Sequence, residues 1–98
     1  FVRTVIETPT FQKQADAVWR AGEREAFIDF IACDPDAGDV IPGAGGARKV
    51  RWARPGMGKR GGARVIYFNL AADEVVLLVM VYAKAERSNV KPERIKRS

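Results

Sequence analysis

The chain has 98 residues, of which 47% are hydrophobic, and this predicts one packed domain over residues 1–98. It contains no histidine and one cysteine, Cys33, which we expect to be an inert core residue; an internal disulfide and a zinc site are excluded, and we expect no cofactor. The longest apolar run, Val75 to Ala83, is far shorter than the roughly 20 residues of a membrane helix, so we expect a small cytoplasmic domain that does not contact a membrane.

The first part of the chain predicts one strand followed by a helical hairpin. Residues 3–7 are rich in β-branched side chains, and Thr8 with Pro9 supplies the N-cap and first turn of a helix. Gly22 is the predicted end of that helix, and a second helix is expected over residues 23–32. The apolar residues of the first helix recur at i, i+4, i+7 and i+8, which is one face of an amphipathic helix: Phe11, Ala15, Val18 and Trp19.

From Ala47 to Ala53 the apolar pattern changes to the period of two that is typical of a strand. Val50 and Trp52 share one face of this strand, and Lys49 and Arg51 share the other. The first pair is expected to pack against the helices, which would leave both cations on the uncovered face of the sheet.

Two further strands are expected after a glycine-rich loop. They cover residues 63–70 and 75–83, with a hairpin turn at 71–74, and the second is apolar throughout, as a strand covered on both faces would be. The tail has room for a short helix from Pro92. The predicted fold class is therefore α+β, in the order β-α-α-β-β-β: an N-terminal helical hairpin packed on a mostly antiparallel four-stranded sheet.

Charge is segregated along this chain. Residues 1–39 carry eight acids against four bases, whereas residues 40–98 carry thirteen bases against four acids. Such uncompensated positive charge indicates a surface that binds an anion, most simply nucleic acid. Between Val40 and Ala72 there are seven bases and no acid: Arg48, Lys49, Arg51, Arg54, Lys59, Arg60 and Arg64.

The predicted sheet brings several of these side chains to one face. Arg64 lies at the start of the strand that follows the one bearing Lys49 and Arg51. Tyr82 and Lys84, two residues apart at the end of the last strand, are expected to point to the same face as each other. This face would present positive charge, hydrogen-bond donors and an aromatic ring to RNA.

Such a face has the groups needed to cleave RNA by attack of a 2′-OH on its own phosphodiester. The reaction needs a base, charge stabilisation on the phosphorane and a proton for the leaving oxygen. A lysine among arginines is pushed toward its neutral form and can act as a base, arginine binds phosphate with two hydrogen bonds, and tyrosine or another lysine can donate the proton. The only acids expected near the strands are Asp73 and Glu74 in the turn, so any chemistry would rest on Lys, Arg and Tyr.

Three segments of the chain resemble the RelE/HigB-type toxins of bacterial type II toxin–antitoxin systems, within the RelE/ParE superfamily. The resemblance covers nearly the whole chain, since the helix from Phe11 to Trp19 and the terminal Pro92-Glu93-x-Ile95 also fit. The segments are Gly45-Gly46-Ala47-Arg48-Lys49-Val50-Arg51-Trp52, Gly58-Lys59-Arg60-Gly61-Gly62-Ala63-Arg64-Val65-Ile66-Tyr67 and Val81-Tyr82-Ala83-Lys84.

The resemblance implies a RelE-like fold and a metal-independent mRNA endonuclease that acts on the ribosome and inhibits translation. It places the catalytic side chains at Lys49, Arg51, Arg64, Tyr82 and Lys84, without deciding which is the general base. Lys59 and Arg60 match the basic loop of the family and, with Arg48 and Arg54, are assigned to RNA binding.

The resemblance also implies a cognate antitoxin as partner, and in the HigB branch this is often a helix-turn-helix, HigA-like protein. Two alternatives stay open. One is a toxin of the same fold that poisons DNA gyrase by binding it, which would not need clustered phosphate ligands on the sheet. The other is a non-catalytic basic module that binds RNA or DNA.

Overall fold

The structure, a computed structural model, describes residues 2–52 and 62–83. None of the helices in these residues is long and apolar enough to cross a membrane. The predicted helix from Pro92 lies outside the described residues. In chain order the elements are β1 (Thr4–Glu7), α1 (Pro9–Val18), α2 (Ala21–Cys33), β2 (Asp39–Val40), β3 (Arg48–Trp52), β4 (Ala63–Leu70) and β5 (Val75–Ala83).

The strands form one mixed sheet in the order β1-β5-β4-β3-β2. β1 runs parallel to β5, and the other neighbours are antiparallel. The predicted α+β class with a helical hairpin on a mostly antiparallel sheet is confirmed. The described sheet has five strands where four were expected, because the two residues of β2 pair with the first two of β3.

The expected end of α1 at Gly22 is wrong. α1 ends earlier, because the backbone at Trp19 is extended and its side chain is buried, and Gly22 lies inside α2. A glycine costs a helix only about 1 kcal/mol, which is less than burial of a tryptophan contributes. Cys33, expected in the core, is exposed as the last residue of α2.

Aromatic rings join the helices to the sheet. The Phe27 ring lies 5.3 Å from Trp19 and 5.6 Å from Trp52, measured between ring centroids. Phe30 approaches Trp52 at 4.9 Å, and Phe11 approaches Trp19 at 6.2 Å. These spacings are those of favourable aromatic pairs. They hold Trp52 on the helix side of β3, where Val50 also packs in the core, as the alternation in β3 predicts.

Thr8 connects the start of α1 to the interior strand β5. Its side chain accepts a hydrogen bond from the Phe11 N–H at 3.2 Å, which is the predicted N-cap. Its hydroxyl also donates to the Leu78 carbonyl at 2.9 Å. The side chain is only 3% exposed, so both bonds form away from water.

Thr8→Ala is expected to lower the free energy of unfolding by about 1–3 kcal/mol, because the N-cap is lost and a buried carbonyl loses a donor. Thr10→Ala is the matched control, since Thr10 is an exposed residue of the same helix. Urea denaturation of both variants measures the difference. Equal stabilities would show that the Thr8 hydroxyl contributes nothing.

The loop after α2 is fixed to the sheet by Tyr67. The Tyr67 hydroxyl donates to the Pro35 carbonyl at 2.7 Å and accepts from the Gly38 N–H at 2.9 Å. Burial raises the pKa of this phenol above its ordinary value of 10.0. The stabilisation that depends on the protonated hydroxyl is therefore complete below pH ~10 and is lost as the pH rises through the raised pKa.

Gly38→Ala is expected to destabilise the protein by about 1–3 kcal/mol. A Cβ at this position would lie 2.8 Å from the Lys49 carbonyl oxygen and 3.0 Å from a Tyr67 ring carbon, so the β3 backbone would have to shift. Gly22→Ala is the contrasting variant: a Cβ there meets nothing within 4 Å, and alanine favours the helix by about 0.5–1 kcal/mol. The midpoint temperature of thermal unfolding should fall for Gly38→Ala and rise for Gly22→Ala.

Candidate nucleic-acid interface

Three predicted site residues form one row across the sheet. Arg51 of β3 is paired with Arg64 of β4, and Arg64 is paired with Tyr82 of β5. Side chains of directly paired residues have Cβ atoms about 4.5–5.5 Å apart. We call these three residues the Arg51–Arg64–Tyr82 row.

The row lies on the sheet face opposite the helices. Its sequence neighbours Val50, Val65 and Val81 all pack in the core beneath α1 and α2, and successive side chains of a strand point to opposite faces. Lys49 is two residues before Arg51 in β3 and lies on the same face, about 7 Å along the strand. The structure therefore brings four of the five predicted catalytic residues to one end of this face, which we call the open face because neither helix covers it. Tyr82 is only 3% exposed there, since it packs in a second apolar cluster with Ile66 and Phe68.

An extra residue in β5 decides that Tyr82 belongs to this row. Ile66 is paired with Met80 and Tyr67 with Leu78, which leaves Val79 without a partner on β4. Such a bulge shifts the alternation of the strand by one residue. Without it, the side chain of Tyr82 would point toward the helices and away from Arg64.

The two arginines of the row are placed as an anion site would require. Like charges directly opposite each other on a sheet are destabilising. Arg64 Nη1 is also buried, with no hydrogen-bond partner among residues 2–52 and 62–83. An anion held between the guanidinium groups would relieve both costs, and phosphate fits because arginine donates to it in pairs.

Arg48 is not part of this arrangement. It is paired with Tyr67 on the helix side of the sheet, where it donates to the Gly38 carbonyl at 2.7 Å and lies 3.4 Å from the Asp36 carboxylate. Arg48 thus helps Tyr67 to hold the loop after α2 against the sheet, on the face opposite that of Arg51. Its role in RNA binding stays a prediction.

Sequence reasoning missed one acidic residue next to Lys49 on the open face. Asp39 of β2 is paired with Lys49, so its carboxylate lies on the open face beside that lysine. The expectation that Asp73 and Glu74 are the only acids near the strands is therefore wrong. β2 has only two residues, Asp39 and Val40, which is too short for an alternating pattern of polar and apolar side chains to indicate a strand.

Four predicted residues lie outside the described residues. They are Lys84, predicted to be catalytic, and Arg54, Lys59 and Arg60, predicted to bind RNA. Their roles stay predictions.

Comparison with known proteins reveals the same architecture in bacterial toxins. No protein-family model matches the chain. A double arginine-to-alanine variant of the E. coli toxin RelE, in the free state, superposes with a TM-score of 0.62 at 14% identity, over 88% of this chain and 87% of that one. This chain has the RelE-type toxin fold. The Mycobacterium tuberculosis toxin–antitoxin complex RelBE2 gives a TM-score of 0.64 at 16% identity, over 85% of this chain and 99% of that one.

The RelE-type fold confirms the resemblance drawn from the sequence. At these identities it identifies the architecture, while the roles of individual side chains depend on the geometry of this chain. In that geometry the open face of the RelE-type sheet carries Lys49 and the Arg51–Arg64–Tyr82 row at the end of β5 that is remote from the β4–β5 turn.

Because Arg48 and Arg51 lie on opposite faces of the sheet, we expect their replacement by alanine to have different effects on RNA binding and on stability. Arg51→Ala should lower the slope of log binding constant against log salt by about 0.7 for a single-stranded RNA, because one phosphate contact is lost. Arg48→Ala should leave the slope unchanged and instead lower the free energy of unfolding by about 1–3 kcal/mol, since the Gly38 carbonyl loses its donor.

Fluorescence anisotropy with a labelled oligoribonucleotide at several salt concentrations measures the slopes. Arg20→Ala, an exposed arginine between the helices, serves as the control for the loss of one positive charge. A slope lowered equally by Arg48→Ala and Arg51→Ala would show that the RNA does not lie on the open face.

Proposed function

We propose that this chain is the toxin of a type II toxin–antitoxin pair and an endoribonuclease that cleaves mRNA on the ribosome. The observation that carries the proposal is the Arg51–Arg64–Tyr82 row, in which two arginines and a tyrosine are directly paired across three neighbouring strands on the face opposite the helices. The RelE-type fold supports the toxin assignment.

The row supplies the charge that phosphodiester cleavage requires. The 2′-oxygen forms a bond to phosphorus, the bond to the 5′-oxygen breaks, and negative charge builds on the oxygens of phosphorus between these events. Arg51 and Arg64 are placed to bind those oxygens, and donors positioned in advance stabilise a developing charge more than water does. The products are a 2′,3′-cyclic phosphate and a free 5′-hydroxyl.

Proton transfer completes the reaction. The 2′-hydroxyl must lose a proton and the 5′-oxygen must gain one. The phenol of Tyr82 is the donor within the row, and Lys49 is the neighbouring amine on the same face. Lys84 remains a predicted member of the site, and the proton acceptor is assigned to none of these residues.

Charge distribution supports an RNA-rich target such as the ribosome. The helices carry exposed acids, among them Asp16, Glu25 and Asp29, whereas the open sheet face carries Lys49, Arg51 and Arg64. A molecule with this polarity is drawn to a polyanion with its sheet face leading. We propose cytoplasmic action on translating ribosomes.

The partner we propose is a cognate antitoxin, of the helix-turn-helix, HigA-like kind. The RelBE2 structure is a toxin–antitoxin complex of the same toxin fold, which supports an antitoxin for this chain. A partner that covers the open face would bring acids to it, or a segment that fills it, because among the described residues Arg51 and Arg64 form no ion pair and Asp39 lies beside Lys49.

Primer extension on a defined message, with and without programmed ribosomes, tests the nuclease. The wild type should cut only on the ribosome, and Arg64→Ala should reduce the cleavage rate by about 10²–10³-fold, the usual cost of one charge-stabilising donor. Arg20→Ala removes an exposed arginine between the helices and should cut like the wild type. Intact message in every lane contradicts the nuclease, and wild-type cutting by Arg64→Ala contradicts the site.

A further inference from the structure

The last part of β5 is held by helix α1 because its neighbouring strand has ended. β1 pairs with β5 only from Val75 to Leu78. Beyond that point the β1 side of β5 would leave backbone groups without a strand partner, and such groups are costly when buried. Residues Val79 to Ala83, which include Tyr82, lie in this stretch.

Two side chains of the helix region bind the β5 backbone on either side of the bulge. The Thr8 hydroxyl lies 2.9 Å from the Leu78 carbonyl and 3.3 Å from that of Val79. On the far side of Val79, the Val81 N–H donates to Gln14 Oε1 at 2.9 Å. The bulge is therefore fixed at both ends, and Val81 is the residue directly before Tyr82.

We propose that Gln14 is a positioning residue for Tyr82. The inference rests on the proposed nuclease function. The amide oxygen of Gln14 takes the place that a strand carbonyl would occupy, so the backbone at Val81 stays in register with β4. That register keeps the Tyr82 side chain beside Arg64. Gln14 itself lies on the helix side and acts on the reaction through the Val81 backbone.

A loss of this bond should affect the rate of cleavage more than the binding of RNA. Misplacement of a reacting group by 1 Å can cost about 10²-fold in rate, whereas the phosphate contacts of Arg51 and Arg64 come from other strands. We therefore expect Gln14→Leu to lower the single-turnover cleavage rate on programmed ribosomes by about ten- to a hundredfold. Its affinity for ribosomes carrying a message with a 2′-deoxy nucleotide at the cut should change by less than about threefold, because the cationic contacts remain.

The conservative variant and a matched control separate positioning from a general defect. Gln14→Glu keeps an oxygen that accepts from the Val81 N–H and should restore most of the rate. Gln12→Leu changes an exposed glutamine of the same helix and should cut like the wild type, because the Gln12 side-chain amide donates to the Glu7 carbonyl at the end of β1 and not to β5. Wild-type cleavage by Gln14→Leu, or a loss that lies entirely in ribosome binding, overturns the inference.

Failure of the proposed function can be told apart from failure of this inference. If the wild type leaves the message intact, the nuclease proposal is wrong, and the NMR signals of the Tyr82 ring and the hydrogen exchange of the Val81 amide decide the role of Gln14. A displaced Tyr82 signal and faster Val81 exchange in Gln14→Leu, both reversed in Gln14→Glu, support it. Unchanged signals and exchange in Gln14→Leu overturn it.

Discussion

The candidate site depends on the register of three antiparallel strands, β3, β4 and β5. Arg51, Arg64 and Tyr82 are distant in sequence and become neighbours only through the hydrogen bonds of these strands. A shift of one residue in any strand would send its side chain to the other face. The bulge at Val79 is part of this register, because it shifts the alternation of β5 by one residue and so places Tyr82 on the same face as Arg64.

The core and the site are opposite faces of the same strands. On one side, valines and aromatic rings bury against α1 and α2; on the other, Arg51 and Arg64 carry positive charge next to a second apolar cluster that includes Tyr82. The apolar contacts stabilise a sheet that can then hold two arginines directly opposite each other, an arrangement that is unfavourable by itself. Helix α1 serves both faces, because it packs in the core and also binds the β5 backbone through Gln14.

Sequence patterns predicted the helical hairpin and the three long strands, because each has a strong local periodicity. The N-cap at Thr8 was predictable from the same local chemistry. The errors arose where a long-range contact decides a local structure. Gly22 did not end a helix, since burial of Trp19 turns the chain earlier, and Cys33 is exposed at the end of α2 although the residues just before it are apolar. The strand β2 exists only through its pairing with β3, so its residue Asp39 was missed as a neighbour of Lys49.

The sequence by itself determined the charge of the candidate site and the two faces of β3, because side-chain type and the alternation of a regular strand are local properties. It therefore placed Lys49 and Arg51 on the face opposite Val50 and Trp52. Only the tertiary structure decided which cations share the site. Arg48 is committed to the Gly38 carbonyl on the helix side, while Tyr82 reaches Arg64 through a bulge. Register and bulges depend on the pairing of distant segments, and no local pattern of residues encodes them.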